Sequence, residues 1–202
     1  MKVVGLTGPS GSGKGYAERI FASFGVPFLD TDEVYHTLVN TDSPCTRELR
    51  AGFGDFVIRK DGALDRKAMA GHVFCGGDEE KERLTLLNRI THKYVLDRVR
   101  DWIFQKQKEG YKAVIIDAPL LYESGFDAEC DAVIAVLASK ALRIERIKSR
   151  DGIDEATAVS RINAQPSDDF YKERADFILC NDGDGETVKN EAVKILSSLA
   201  LL

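Results

Sequence analysis

The opening of this chain limits its possible folds more than any other feature. Lys2 to Leu6 form a short apolar run, which breaks into Gly8-Pro9-Ser10-Gly11-Ser12-Gly13-Lys14. Ala17, Ile20, Phe21 and Phe24 then recur at helical spacing until Gly25. An apolar strand, a glycine-rich turn ending in Gly-Lys and a helix together fill the GxxxxGK pattern in the context it requires. The glycines let the backbone wrap a polyphosphate with its N–H groups pointing inward. The helix N-terminus adds positive potential, and Lys14 can bridge the outer phosphates. A glycine-rich turn with no ligand would account for the glycines, but not for the lysine and both flanking elements. The expected phosphate contacts are Gly8, Gly11, Ser12, Gly13, Lys14, Gly15 and Tyr16.

One position departs from the pattern. The residue after the lysine is ordinarily Ser or Thr, whose hydroxyl ligates Mg²⁺. Here it is Gly15, followed by Tyr16. Either the site binds metal poorly, or Mg²⁺ is held through water, as in nucleotide kinases whose loops also run GKG. We expect the second. Asp117, which ends the apolar run Ala113 to Ile116, is the candidate for holding that water shell. A charged strand terminus with no metal role is its plain alternative.

The rest of the chain supplies the elements that such a loop needs. Val26 to Asp30 reads as a second strand, with Pro27 near its start where no ladder donor is lost. Thr31 or Asp32 is placed to cap a helix over Glu33 to Val39. From Asn40 to Gly110 short polar and glycine-containing segments separate helical stretches. Glu79 to Lys108 is one long helical pattern or two abutting ones, with Leu84, Leu87, Ile90, Val95, Val99, Ile103 and Phe104 near 3.6 periodicity. Near-continuous apolar runs then return at Ala113 to Ala118, Asp131 to Leu137 and Phe177 to Cys180, as in parallel strands covered on both faces. Helices are expected over Lys140 to Ser149, over Asp154 to Asn163 with Asp154 as cap, and over Glu186 to Leu199. Alternating strands and helices imply an α/β doubly wound sheet.

Composition narrows the class. The 202 residues suffice for one α/β domain with insertions, and 44% hydrophobic with 30% charged residues is ordinary for a folded globular chain. A net charge of −5 and a pI near 5.3 argue against a large basic nucleic-acid surface. The N-terminus enters a strand pattern at once, unlike a signal peptide. No apolar run reaches the length needed to span a bilayer. Cys45, Cys75, Cys130 and Cys180 form no CxxC pair, so reduced, mostly buried thiols of a cytoplasmic protein are expected. Trp102 and the phenylalanines are expected in the core. His36 and His72 match no motif.

The chain lacks an NKxD-type base-recognition motif, which a GTPase of this architecture carries. A helical insertion after strand two favours a small-molecule kinase over a motor or transport ATPase. At this level the sequence resembles the dephospho-coenzyme A kinase family, nearly end to end. The GLTGxxGSGK opening stands at Gly5 to Lys14, and the family's Asp-x-Asp stands at Asp30-Thr31-Asp32. Leu87-Asn88-Arg89-Ile90-Thr91-His92 is similar to its L-x-x-I-x-H-P, with Lys93 where the family has Pro. Pro119-Leu120-Leu121-Tyr122-Glu123 is similar to its Pro-Leu-Leu-aromatic-Glu. Arg146 to Gly152, Arg161 to Gln165 and Ala175 to Ile178 resemble its lid and last-strand motifs. The family often has a basic residue six positions after the lid glutamine. Here that position is Tyr171, with Lys172 beside it.

The resemblance implies a P-loop three-layer sandwich with five parallel strands in the order 2-3-1-4-5. Residues 1–33, 111–145 and 174–202 would form the nucleotide-binding core, 34–110 a helical acceptor domain and 146–173 a lid. It implies transfer of the ATP γ-phosphoryl group to the ribose 3′-hydroxyl of dephospho-CoA, the last step of CoA biosynthesis, with ATP and Mg²⁺ as cofactors. Asp32 would be the base, and its plain alternative is a helix cap. Lys14 and Arg150 would act in catalysis, Arg146 on the nucleotide, and His92, Pro119 and Leu120 on the acceptor. Arg143 is expected on a solvated basic face. The expected partner is the small-molecule acceptor, with no nucleic acid or membrane, in a monomer or small homo-oligomer. The alternatives are a kinase for another small acceptor, such as a nucleoside monophosphate, and a weakly catalytic ATP-binding regulator.

Overall fold

The sheet is built from the expected apolar runs. A computed structural model of the chain describes residues 1–201. The strands are β1 (Lys2–Thr7), β2 (Phe28–Asp30), β3 (Ala113–Asp117), β4 (Ala132–Leu137) and β5 (Phe177–Cys180). Their order is β2-β3-β1-β4-β5. β1 runs parallel to β3 and to β4, and β4 runs parallel to β5. On the far side of β3, the Ile115 N–H donates to the Pro27 carbonyl at 2.9 Å. All residues of β3 and β4 are buried, which is why neither shows the alternation of a half-exposed strand.

The two faces of the sheet are filled by different elements. Val4, Leu6, Ile115, Ile134, Val136 and Leu179 point to one face. There they meet Ala17, Ile20 and Phe21 of α1 (Lys14–Ser23) and Val188, Ala192, Ile195 and Leu196 of the C-terminal helix Gly185–Ser198. Ala135 and Leu137 point to the other face and meet Tyr171, with Tyr122, Phe170 and Ile178 around it. Each fully buried Leu, Ile or Phe contributes about 1.5–3 kcal/mol, so the sheet is the rigid frame on which loop ends are held.

The chain divides into two compact units, residues 1–29 with 105–201 and residues 30–104. The second unit is helical: α2 (Thr31–Val39), α3 (Pro44–Phe53), α4 (Arg66–Val73) and most of α5 (Glu79–Lys108), a single helix of 30 residues. α2 starts two residues earlier than the sequence suggested. Asp30, rather than Thr31 or Asp32, is its cap, accepting the N–H groups of Asp32 and Glu33 at 2.8 and 3.4 Å. The first unit continues through α6 (Lys140–Asp151), α7 (Glu155–Asn163), α8 (Asp168–Lys172) and α9 (Gly185–Ser198). α7 is capped by Asp154 as expected. The short α8 was not anticipated, although Ser167 ahead of Asp168 and Asp169 is a cap followed by an acidic first turn.

Two expectations about burial fail. Phe28, Phe56, Phe74 and Phe104 are exposed, and Phe56 stands edge-on to the His72 ring at 5.1 Å on the helical unit's surface. Of the four free thiols only Cys45 is buried, while Cys75 and Cys180 are exposed.

Candidate active site

The phosphate loop leaves β1 at Thr7 and enters α1 at Lys14. Its walls come from parts of the chain far apart in sequence. Gly8 has φ +144°, and a Cβ there would lie 2.2 Å from the Val136 carbonyl oxygen of β4. Gly13 has φ +90°, and a Cβ would lie 2.1 Å from Asn181 Nδ2, just past β5. Both glycines are required twice over, by backbone conformation and by close approach. Lys14 folds back across the loop, its Nζ 3.4 Å from the Gly8 carbonyl oxygen. The Ser12 and Thr7 hydroxyls are buried and, among the described residues, have no hydrogen-bond partner in the protein. Buried polar atoms ordinarily have partners, so two orphan hydroxyls in one loop fit a ligand-binding cradle.

The α6 arginines lie behind this loop. Arg143, Arg146 and Arg150 recur at i, i+3 and i+7, so they form one stripe down the helix. Arg143 Nε donates to the Ser10 carbonyl at 3.0 Å. Arg146 Nη1 donates to the Gly11 and Ser12 carbonyls at 3.2 and 3.1 Å, and its Nη2 to the Asn181 carbonyl at 2.9 Å. Arg150 Nη2 reaches the Ser10 hydroxyl at 3.4 Å. Guanidinium groups that take the loop's carbonyls on the outside leave its amides for the inside. The stripe therefore orients the cradle and adds positive charge to it.

This corrects the reading of Arg143 as a solvated charge. It is 4% exposed, paired with Asp168 at 3.1 Å, and burial lowers its pKa. Arg150, by contrast, is mostly exposed and held by Asp151, which also pairs with Arg161. The hydrogen bond from Arg150, with Arg161 beside it, holds the Asp151 carboxyl down at about 2. Tyr171 is 4% exposed, within the Tyr122–Phe170 aromatic cluster. Its position is thus one of core packing, not of basic lid contact.

The other candidates distribute as follows. Gly15 lies in the exposed first turn of α1, and a Cβ there would meet only Arg19, at 4.0 Å. The Tyr16 ring packs against the core and its hydroxyl donates to the Gly185 carbonyl at 3.3 Å, so its side chain serves the α1–α9 contact. Asp117 is 6% exposed, paired in register with Leu6 at the end of β1 that feeds the loop. Pro119 and Leu120 follow it at the carboxyl end of the sheet, and Leu120 is 50% exposed there. In the helical unit Asp32 is exposed in the first turn of α2, and His92 is half-buried on α5. Lys93, in the place of the family's proline, pairs with Glu48 of α3 at 2.8 Å.

Sequence reasoning missed Asn181, which is 4% exposed and donates from Nδ2 to the Ser12 carbonyl at 2.8 Å. Its signal was its place just beyond the carboxyl end of a parallel strand, where open sheets bind ligands. Gln165, the last residue of the Arg161 to Gln165 motif, also reaches the loop. Its Oε1 accepts the Ser10 N–H at 2.9 Å.

The family model described as dephospho-CoA kinase matches residues 2–187. A dephospho-CoA kinase of Anaeromyxobacter dehalogenans is 35% identical over 199 residues, covering 98% of this chain and 92% of that one. A crystal structure from Thermus thermophilus superposes with a TM-score of 0.79 at 27% identity, covering 98% and 97% of the two chains. The dephospho-CoA kinase from Campylobacter jejuni superposes with a TM-score of 0.70 at 24% identity, covering 98% and 96%, a likeness of fold.

Proposed function

The chain belongs to the dephospho-CoA kinase family, and on that premise we propose how its residues divide the work of phosphoryl transfer. It is an ATP-dependent kinase that moves the γ-phosphoryl group to the ribose 3′-hydroxyl of dephospho-CoA, giving coenzyme A. The loop amides of Gly8, Gly11, Ser12, Gly13 and Gly15 cradle the phosphates, with Lys14 across the outer ones. The observation that carries this is the arginine stripe of α6 bound to the loop's carbonyls from behind.

The acceptor oxygen attacks the γ-phosphorus as the bond to the β–γ bridging oxygen breaks, and Asp32 takes the hydroxyl proton. Asp30 already serves as the cap of α2, so the Asp32 carboxylate is not needed for that purpose. Arg150 counters the charge that spreads over the equatorial oxygens, while Arg146, bound to the Gly11, Ser12 and Asn181 carbonyls, serves the nucleotide by holding its loop in shape. We read residues 146–173, from within α6 through α8, as the lid and residues 34–110 as the acceptor-binding part, with His92, Pro119 and Leu120 as acceptor contacts.

The residues present fit Mg²⁺ held largely through water. Gly15 offers no hydroxyl, and Asp117 offers one carboxylate beside the loop-feeding strand. Among the described residues no group of three or more His, Cys, Asp or Glu side chains could hold a metal. Few carboxylates plus substrate phosphates is the ordinary Mg²⁺ arrangement. When bound, the ion would neutralise charge on the β- and γ-phosphates. We place the enzyme in the cytoplasm. All four cysteines are free, as suits a reducing compartment, and no described helix is long and apolar enough to cross a membrane.

The test is a coupled assay with ATP, Mg²⁺ and either dephospho-CoA, CMP or AMP. Turnover should be largest with dephospho-CoA. Greater turnover with a nucleoside monophosphate, or ATP binding without transfer to any of them, would overturn the assignment.

A further inference from the structure

Every polar atom of Ser10 is engaged by α6 or by the connection between α7 and α8. Its N–H donates to Gln165 Oε1 at 2.9 Å, its carbonyl accepts from Arg143 Nε at 3.0 Å, and its hydroxyl lies 3.4 Å from Arg150 Nη2. The groups that hold it are themselves fixed. Arg143 is buried and anchored to Asp168. Gln165 sits at a corner: its own N–H donates to the Ile162 carbonyl at 3.1 Å, Pro166 follows, and Ser167 caps α8. Among the described residues, no other link from the α7–α8 connection to a backbone N–H of the loop accompanies the Gln165 bond.

We propose that Gln165 is a positioning residue for ATP. With Arg143 it pins the peptide groups on both sides of Ser10, so that the amides from Gly11 onward stay aimed at the polyphosphate before nucleotide arrives. This rests on the reading that Gly8 to Lys14 holds the ATP phosphates. Two peptide groups fixed from outside remove freedom that the loop would otherwise lose on binding, and preorganisation of this kind appears as affinity. A neutral amide suits the post. A glutamate would offer the same acceptor oxygen but bring a full negative charge next to bound phosphate. Gln165 touches neither reacting atom, so its loss should weaken ATP binding and spare the chemical step.

The experiment compares wild-type enzyme with Gln165→Met, which keeps the shape and removes the acceptor, and with Gln165→Glu, which keeps the acceptor and adds charge. In Gln165→Met we expect KM for ATP to rise about three- to tenfold, the size of one net hydrogen bond. We expect kcat and the KM for dephospho-CoA to stay within about twofold, and hydrogen exchange at the Ser10 amide to lose protection while the sheet amides keep theirs. Gln165→Glu should keep the Ser10 amide protected and still raise KM for ATP, an effect that shrinks with added salt.

The proposal falls if Gln165→Met keeps Ser10 protected. It also falls if Ser10 loses protection with KM for ATP within about twofold of wild type, or if all three kinetic constants move together with a lowered Tm. Should Gln165→Met fail to fold, unaltered KM for ATP in Gln165→Glu at low salt has the same force. Lys14→Met separates the premise. If that variant binds ATP normally, the loop reading fails; if it binds weakly while Gln165→Met is normal, only the role of Gln165 fails.

Discussion

The Asn181 side-chain amide donates to the Ser12 carbonyl oxygen at 2.8 Å, and in doing so it closes the space beside Gly13. A methyl group at residue 13 would stand 2.1 Å from Asn181 Nδ2 on backbone at φ +90°. Gly13→Ala should therefore push Asn181 off Ser12 and turn the loop amides. The expected result is a fall in kcat/KM for ATP of about a hundredfold or more, the scale of a 1 Å misplacement. Steady-state kinetics check this, and activity within about fivefold of wild type would refute it.

Asp30 and Asp32 should separate stability from chemistry. Asp30 caps α2, so Asp30→Ala should cost about 1 kcal/mol of unfolding free energy, read from denaturant melts. Asp32 is not that cap, and Asp32→Asn should still fold. Its kcat should fall about 10²- to 10⁴-fold with KM for ATP unaltered. Unchanged kcat in a folded Asp32→Asn would remove it as the base.

Gly15 has open space around its would-be Cβ. Gly15→Ser should fold normally and supply the hydroxyl that this loop lacks, lowering the Mg²⁺ concentration for half-maximal rate by about three- to tenfold. Asp117→Asn should raise it by about tenfold or more. A Mg²⁺ titration of kcat checks both, and no change in either variant would exclude these positions from metal handling.

Arg143→Met removes a buried cation from the Ser10 carbonyl and from Asp168. The orphaned acceptors should cost about 1–3 kcal/mol of stability. The thermal midpoint and KM for ATP should both worsen, since fold and loop share this one guanidinium. A stable variant with normal ATP kinetics would restore the solvated-surface reading.

The pairing of Asp151 with Arg150 and Arg161 predicts an acid response. Its folded-state pKa, about 2, lies below the ordinary carboxyl value near 4. The stability it contributes is thus present above about pH 4 and is lost as pH falls toward 2. Between those limits wild-type Tm should fall more steeply than that of Asp151→Asn, measured by circular dichroism. Parallel curves would show that the pairs contribute nothing.

Much of the framework was legible because its signals are local. The apolar runs of β3, β4 and β5, the Asp154 cap and the helical periodicity of α5 each follow from neighbours within one turn or one strand. What escaped depended on partners far along the chain. The cap of α2 lies one or two residues before the expected Thr31 or Asp32, because three acceptor-bearing side chains stand in a row and backbone geometry selects among them. Exposed Phe56, Phe74 and Phe104 were misplaced because hydrophobicity says only that a side chain prefers burial, not that a neighbour will cover it.

Consecutive residues alone specify the strand, glycine turn and lysine of a P-loop, and the chain around them follows the order of one kinase family. Those facts are covalent, written in consecutive residues. What holds that loop in shape is absent from any local stretch of sequence. Arg143 left the surface for the Ser10 carbonyl, 133 positions away, and Asn181 came 169 positions to bond Ser12. Such contacts exist only once the parallel sheet has brought the carboxyl ends of β1, β4 and β5 side by side, so no local pattern announces them.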